Sequence, residues 1–261
     1  MIKTLLLFHF KKMYANGKDR GVSMFRIQID SSRCVSLIEG AATLDKMVFD
    51  YWKYEDLAFE SGKIYGLISE YEQGCMYVSY LLGGRVDFDD LRIYYNDREV
   101  TNKDLSEMSW NLEPYHEKYN KCTVKKSIEK ALQKGVCADS FAQIAEKFGL
   151  TEPRYDRKLF QLSGERWRAS AALGYASGKQ IFYAPYESSS FYYQVSGGGL
   201  LKALRNLTGA GALVLLPGGS DRVLKHIVDE CVYLDENREY DIDYLHQYYL
   251  ERGWGEGSWI K

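Results

Sequence analysis

The sequence predicts an α/β fold: a mixed sheet core with an N-terminal antiparallel β part and a small helical insert. Three observations carry this reading. Early in the chain, apolar Phe25, Ile27 and Ile29 alternate with polar Arg26 and Gln28, the pattern of a half-buried strand. From Thr123 the apolar period becomes helical, with Val124, Ile128, Ala131 and Leu132 on one face. Beyond Arg166, short apolar runs alternate with helical ones, the βαβ rhythm of a sheet covered by helices. Residues 1–261 are read as one domain, with residues 123–165 as a helical subdomain inserted within it.

Taken in order, the apolar residues 1–10 stop at Lys11 and Lys12 without a small-residue cleavage site, which reads as a first strand rather than a leader. Residues 57–59 form a second candidate strand, closed by Ser61 and Gly62. Residues 63–68 are a compact apolar run. A turn and a short helix at 78–82 follow, stopped by Gly83 and Gly84. Residues 91–95 read as a strand with a turn at Asn96-Asp97. In the insert, Gly135 ends the first helix. A second helix presents Phe141, Ile144, Ala145 and Phe148, capped by Asp139 or Ser140 and closed by Gly149. Residues 166–176 are alanine-rich and favour helix. Strands are expected at 180–184, 211–216 and 231–234, helices at 200–207 and 222–228, and a final amphipathic helix at 241–251.

Composition narrows the function classes. A net charge of −2 gives no basic surplus for nucleic acid. Cys34, Cys75, Cys122, Cys137 and Cys231 are scattered and odd in number, which argues for a reducing compartment and against a disulfide framework or zinc site. His9, His116, His226 and His246 have no metal-binding spacing, and no apolar run is long enough to span a bilayer. No metal ligands are therefore assigned, and there is no nucleophile elbow or dinucleotide fingerprint. Most of the 22 tyrosines are expected to pack in sheets. Ser196-Gly197-Gly198-Gly199 precedes a helix and is read as a flexible turn rather than as an anion site made of backbone N–H groups.

One segment order is informative. Leu162-Ser163-Gly164-Glu165 opens a helical run that leads into the apolar strand at 180–184. This resembles the signature helix and Walker B strand of the ATP-binding-cassette (ABC) ATPases, and the resemblance extends over residues 57–237. Ser163, Gly164 and Glu165 stand at the signature loop, which in the family touches the nucleotide of the opposite subunit. A serine hydroxyl and free N–H groups at a helix start favour an anion, and the charge of Glu165 opposes one. Residues 62–68 resemble the strand into the phosphate loop. Of that loop Gly74 alone remains; Cys75 falls at the lysine and Met76 at the magnesium hydroxyl. Glu70 and Glu72 would face the triphosphate, and two like charges at ~4 Å repel by roughly 4 kcal/mol. Pro185 and Tyr186 occupy the places of the Walker B Asp and Glu, and Glu187 falls one residue late. Glu113 is the nearest candidate for the magnesium-contacting glutamine. Residues 211–216 resemble the strand before the switch histidine but run into Pro217-Gly218-Gly219. Asp229 with residues 231–234 resembles the closing Asp and strand.

The resemblance implies a pseudo-ATPase with no catalytic residues and no nucleotide in its own site. ATP and magnesium would be shared with a partner subunit through Ser163 and Gly164. The partners implied are a nucleotide-binding subunit, a membrane permease or both, in a homo- or heterodimer that is cytoplasmic or peripheral at the cytoplasmic face of the membrane. The insert would contact the permease. Two other readings stand beside this one: a stand-alone regulatory module that reuses the cassette fold, and an unusual true ATPase whose turnover depends on Glu187.

Overall fold

The computed structural model describes residues 24–30, 34–38, 47–52, 57–69, 74–86, 91–113, 121–195 and 199–234. Strands β1 (Arg26–Asp30), β2 (Cys34–Ile38), β3 (Met47–Trp52), β4 (Leu57–Glu60) and β5 (Ile64–Ile68) lead to helix α1 (Gly74–Leu82). Then come β6 (Arg92–Tyr95), β7 (Arg98–Val100), α2 (Asn102–Met108) and β8 (Ser109–Asn111). The helical lobe holds α3 (Val124–Leu132), α4 (Phe141–Lys147), two 3-10 turns (Glu152–Arg154 and Leu159–Gln161) and α5 (Arg166–Ala176). The chain continues through β9 (Ile181–Tyr183), α6 (Ser189–Val195), α7 (Leu201–Gly209), β10 (Leu213–Gly218), α8 (Asp221–Leu224) and β11 (Glu230–Tyr233).

An antiparallel four-stranded sheet runs β4-β1-β6-β7. Its alternation is the one the sequence predicts: Ile27 and Ile29 are buried while Arg26 is exposed. Asn96 makes the β6–β7 turn at φ 43°, a left-handed conformation that asparagine tolerates, and its Oδ1 accepts a hydrogen bond from the Arg26 N–H at 2.9 Å. A separate two-stranded sheet pairs β2 with β3.

The core is a five-stranded parallel sheet in the order β11-β5-β10-β9-β8. It is buried on both faces, so its inner strands read as continuous apolar runs. The pleat still sorts the side chains. Tyr65, Leu67, Ile181, Tyr183, Leu213 and Leu215 join α1 and the antiparallel sheet in one core. Ile64, Ile68, Phe182, Val214 and Leu216 join the helices of the lobe and α7 in the other. Helix α1 lies between the layers with every residue buried, so it begins four residues before the short helix expected at 78–82.

The lobe is fastened to the edge of this sheet. The Trp110 indole on β8 donates to Ser170 Oγ on α5 at 2.9 Å, and that hydroxyl donates to the Asn111 carbonyl at 3.1 Å. Gly174 makes this close approach possible, since a Cβ there would lie 2.6 Å from both the Trp110 and Phe182 rings. Ser140, not Asp139, caps α4: its Oγ accepts from the Gln143 N–H, and the Gln143 side chain answers the Ser140 N–H. Asp139 instead accepts from Lys147 at 2.6 Å and from the Tyr175 hydroxyl at 2.8 Å. Ser140→Ala is expected to cost about 1 kcal/mol of stability, read as a lower urea midpoint at unchanged slope.

Elements not located from the sequence are β2, β3, β7, α2, β8 and α6. The helix expected at 222–228 closes early, at Leu224, because the chain must turn to present Asp229. That side chain accepts from the Ile64 N–H at 2.7 Å and from the Arg205 guanidinium. The strand expected at 1–10 and the helix at 241–251 lie outside the described residues, as do Glu70, Glu72 and residues 196–198. No helix among the described residues is long and apolar enough to cross a membrane.

Candidate functional site

Parallel sheets of this kind bind ligands in the crevice beyond the carboxyl ends of their strands. Here that edge is formed by Ser69 after β5, Pro185-Tyr186-Glu187 after β9, Gly219 after β10 and Glu113 after β8.

Ser69 is buried and its Oγ accepts from the Cys75 N–H at 2.9 Å, tying the end of β5 to the start of α1. Gly74 is the first residue of α1 and is buried. Cys75 and Met76 are 0% and 5% exposed and belong to the apolar core between the sheets. Neither presents a cation or a hydroxyl to the crevice.

Tyr186 crosses the mouth of the crevice. Its hydroxyl oxygen is so close to Gly219 that a Cβ on that glycine would lie 2.3 Å from it, with the Ser69 carbonyl oxygen at 3.7 Å from the same point. The phenol therefore reaches from the exit of β9 across to the exits of β10 and β5. Beneath it, the buried Tyr192 on α6 donates its hydroxyl to the Pro217 carbonyl at 2.9 Å. Burial pushes the Tyr192 phenol well above its ordinary range, with Glu187, Cys75 and Tyr186 adding to the effect.

Glu187 is held by its backbone. Its N–H donates to the Pro217 carbonyl at 3.3 Å, and it bridges to Gly218 in parallel register. Its half-buried carboxyl is pushed up to about 7, first by burial and then by the nearby Glu113 carboxylate, with Arg166 opposing both. Glu113 is 2% exposed and fully engaged. It accepts from the Trp167 indole at 2.5 Å, and Arg166 Nε lies 2.8 Å and 3.1 Å from its two oxygens. Burial raises the Glu113 carboxyl too, and Arg166 and Trp167 work against that rise. The edge thus carries two carboxyls, one guanidinium and an aromatic wall of Trp167 and Phe191, whose ring centroids are 5.0 Å apart.

The Ser163–Glu165 loop divides in two. Ser163 and Gly164 are exposed, and a Cβ on Gly164 would meet nothing within 4 Å. Glu165 is 3% exposed and points away from that surface: it accepts from the Thr151 hydroxyl at 2.9 Å and pairs with Arg154 at 3.0 Å and Arg168 at 3.2 Å. The sequence reading set its charge against an anion at this loop. The structure corrects that, because two guanidiniums neutralise the carboxylate inside the lobe.

Against solved structures the likeness covers most of the chain. It aligns with cbiO1 from Clostridium perfringens, part of the ABC transporter complex cbiONQ, over 87% of this chain and 93% of that one, at TM-score 0.59 and 12% identity. It aligns with the ADP- and Pi-bound dimeric cassette MJ0796 over 82% and 97%, at TM-score 0.58 and 14% identity. MJ1267, an ATP-binding cassette of an ABC transporter solved in its ADP conformation, aligns over 82% and 89% at TM-score 0.56 and 12% identity. The chain has the ATP-binding-cassette fold. No protein-family model matches the sequence, and no curated protein matches it.

In this cassette fold the residues that the sequence assigned separately converge on one edge: Gly74 and Cys75 through α1, Pro185 to Glu187 through β9, Pro217 to Gly219 through β10, and Glu113 through β8. Ser163 and Gly164 are outside that edge, on the lobe surface. At this edge the Tyr186 hydroxyl occupies the space beside Gly219, and Cys75 brings no cation. Among the described residues no three His, Cys, Asp or Glu side chains gather as metal ligands. Sequence reasoning missed Arg166, Trp167 and Tyr192. Their signal was present only as polar-tipped residues on otherwise apolar helix faces, which by itself marks packing.

Proposed function

We propose that this chain is a catalytically degenerate cassette subunit that acts through a partner. It pairs with a second, intact nucleotide-binding subunit, with a permease, or with both, at the cytoplasmic face of a membrane. The observation that carries the reading is the contrast between its two surfaces. At the strand ends the Tyr186 hydroxyl occupies the space beside Gly219, and Cys75 is buried in the core. The Ser163-Gly164 loop stays exposed with open space around Gly164. A protein that has lost its own nucleotide contacts while keeping the loop that reaches across to a neighbour is suited to completing that neighbour's site. General-base and metal functions are seldom replaceable, so Pro185 and Tyr186 at the Walker B places argue against turnover in this chain.

The test is purification of the tagged full-length chain from its native host, followed by mass spectrometry and an ATPase assay. A second cassette subunit or a permease is expected to co-purify. The isolated chain is expected to show no turnover, and Gly164→Asp is expected to lower the turnover of the complex. Recovery of unrelated partners with no transporter subunit would favour the stand-alone regulatory role. Turnover by the isolated chain that Glu187→Gln abolishes would establish a true ATPase and overturn the proposal.

A further inference from the structure

Charge in this protein is segregated. The chain as a whole is −2, yet residues 121–134 and 152–160 together carry eight Lys and Arg against three Asp and Glu. The fold brings these two segments side by side. The Val124 N–H donates to the Arg157 carbonyl at 2.9 Å and the Lys125 N–H to the Tyr155 carbonyl at 3.0 Å, so the start of α3 abuts the strip that leads to Phe160. Lys121, Lys126 and Arg157 are exposed, and Lys125 and Lys158 are partly so. None of these five makes an ion pair among the described residues. The neighbouring Arg154, by contrast, is taken up by Glu165. The three acidic residues of these segments are Glu129, Glu152 and Asp156, all exposed. Phe160, on the second 3-10 turn, is 55% exposed, with the Lys158 ammonium 6.0 Å from its ring centroid. Phe141 and Tyr155 pack edge to face behind the patch, with Lys125 5.7 Å from the Phe141 ring.

We infer that this face of the helical lobe binds an anionic lipid bilayer, with Lys121, Lys125, Lys126, Arg157 and Lys158 over the headgroups and Phe160 inserted at the interface. Charge complementarity selects the occupant. A cluster of cations gains from every anionic headgroup beneath it, and one aromatic tip supplies the second, apolar signal that stable attachment needs. The long Lys and Arg stems can lie along the surface while their heads stay in water. Recognition of an acidic peptide motif uses clustered Arg side chains, whereas four of these five cations are Lys and an exposed aromatic ring stands among them. Here the cations and Phe160 come from the outward sides of a helix start and a 3-10 turn. The inference gives to a bilayer a face of the insert that the family resemblance would give to a permease, and its failure would leave the reading of the crevice and of Ser163-Gly164 untouched.

The test is co-sedimentation of the full chain with vesicles of phosphatidylcholine alone or mixed with phosphatidylglycerol. Binding is expected only to the anionic vesicles and is expected to fall as salt rises. Each cation near such a surface contributes roughly fivefold in partitioning, so the double variant Lys126→Glu/Arg157→Glu should bind at least about 25-fold more weakly. Phe160→Ala should weaken binding without changing its salt dependence. Lys202→Glu, exposed on α7, should leave it unchanged. The substituted side chains of the patch are outside the cores, and circular dichroism melts are expected to match the parent. Equal binding to both vesicle types, no binding to either, or indifference to Lys126→Glu/Arg157→Glu would overturn the inference. Binding to soluble polyglutamate with no binding to vesicles would overturn it too, and would assign the face to an acidic protein partner.

Discussion

Glu165→Ala is expected to destabilise the protein by about 3 kcal/mol, the loss that follows when one partner of a buried ion pair is removed. The carboxylate is 3% exposed and sits among Arg154, Arg168 and the Thr151 hydroxyl. Arg154 is open to solvent and can rehydrate. The Arg168 side chain is only 15% exposed and cannot; among the described residues its charge would then rest on the bond to the Gly149 carbonyl at 2.6 Å. Glu165→Gln keeps an acceptor for Thr151 and should cost less than the alanine variant. Urea unfolding of the two variants measures this. Wild-type stability in Glu165→Ala would mean that the carboxylate does not hold the lobe together. Such a result would return it to the exposed, nucleotide-facing role that the signature resemblance implies.

The second large effect is a dependence on pH. The Glu187 carboxyl has an ordinary value of 4.5 and is pushed up to about 7 in the folded chain. Between those two values the native state holds a proton that the unfolded chain releases. Stability from this group is therefore complete below pH 4.5, declines as pH rises towards 7, and is flat above it. The full linkage, discounted for the partial exposure of the side chain, amounts to roughly 2 kcal/mol. Glu187→Gln should match the parent near pH 4.5, exceed it at pH 8 by about that amount, and flatten the profile between. Glu113 is raised in the same direction, so a shallower decline should persist in the variant. Denaturation midpoints across this range decide the matter, and a parent whose stability rises from pH 5 to pH 8 would refute the buried-carboxyl arrangement.

Much of the layout was legible because it rests on periodicity. The alternation of Phe25, Ile27 and Ile29 and the apolar run at 63–68 reflect the pleat directly. The helical spacing of Val124, Ile128 and Ala131 marks the face buried against α4 and α5 within the lobe. Short elements were harder to read. Strands β7 and β8 are three residues each, and Trp110 in β8 is a strand residue only because its neighbours β9 and α5 pack on it. Helix α6 begins in Ser188-Ser189-Ser190, where the local chemistry favours a turn. The Ser188 hydroxyl accepts the Phe191 N–H there, and burial of Tyr192 supplies the rest. At the candidate site, the sequence named Gly74, Glu113 and Glu187 but could not say how they lie to one another. Residues 113 and 167 meet only through tertiary packing, and no spacing rule links them. The direction of Glu165 was equally hidden: Arg168 stands one turn further along α5, but Arg154 reaches the carboxylate from the 3-10 turn Glu152–Arg154 only through tertiary packing.

One consequence lies in how the chain must be assembled. Strand β5 forms early in the sequence but receives both of its neighbours, β10 and β11, from the C-terminal end, and the bond between Ile64 and Asp229 spans 165 residues. Until the ribosome has released that far segment, the emerging polypeptide exposes an apolar ribbon with two unsatisfied edges. Such a delay invites self-association and calls for chaperone shelter during synthesis. Fragments truncated before Leu213 would share the same hazard permanently.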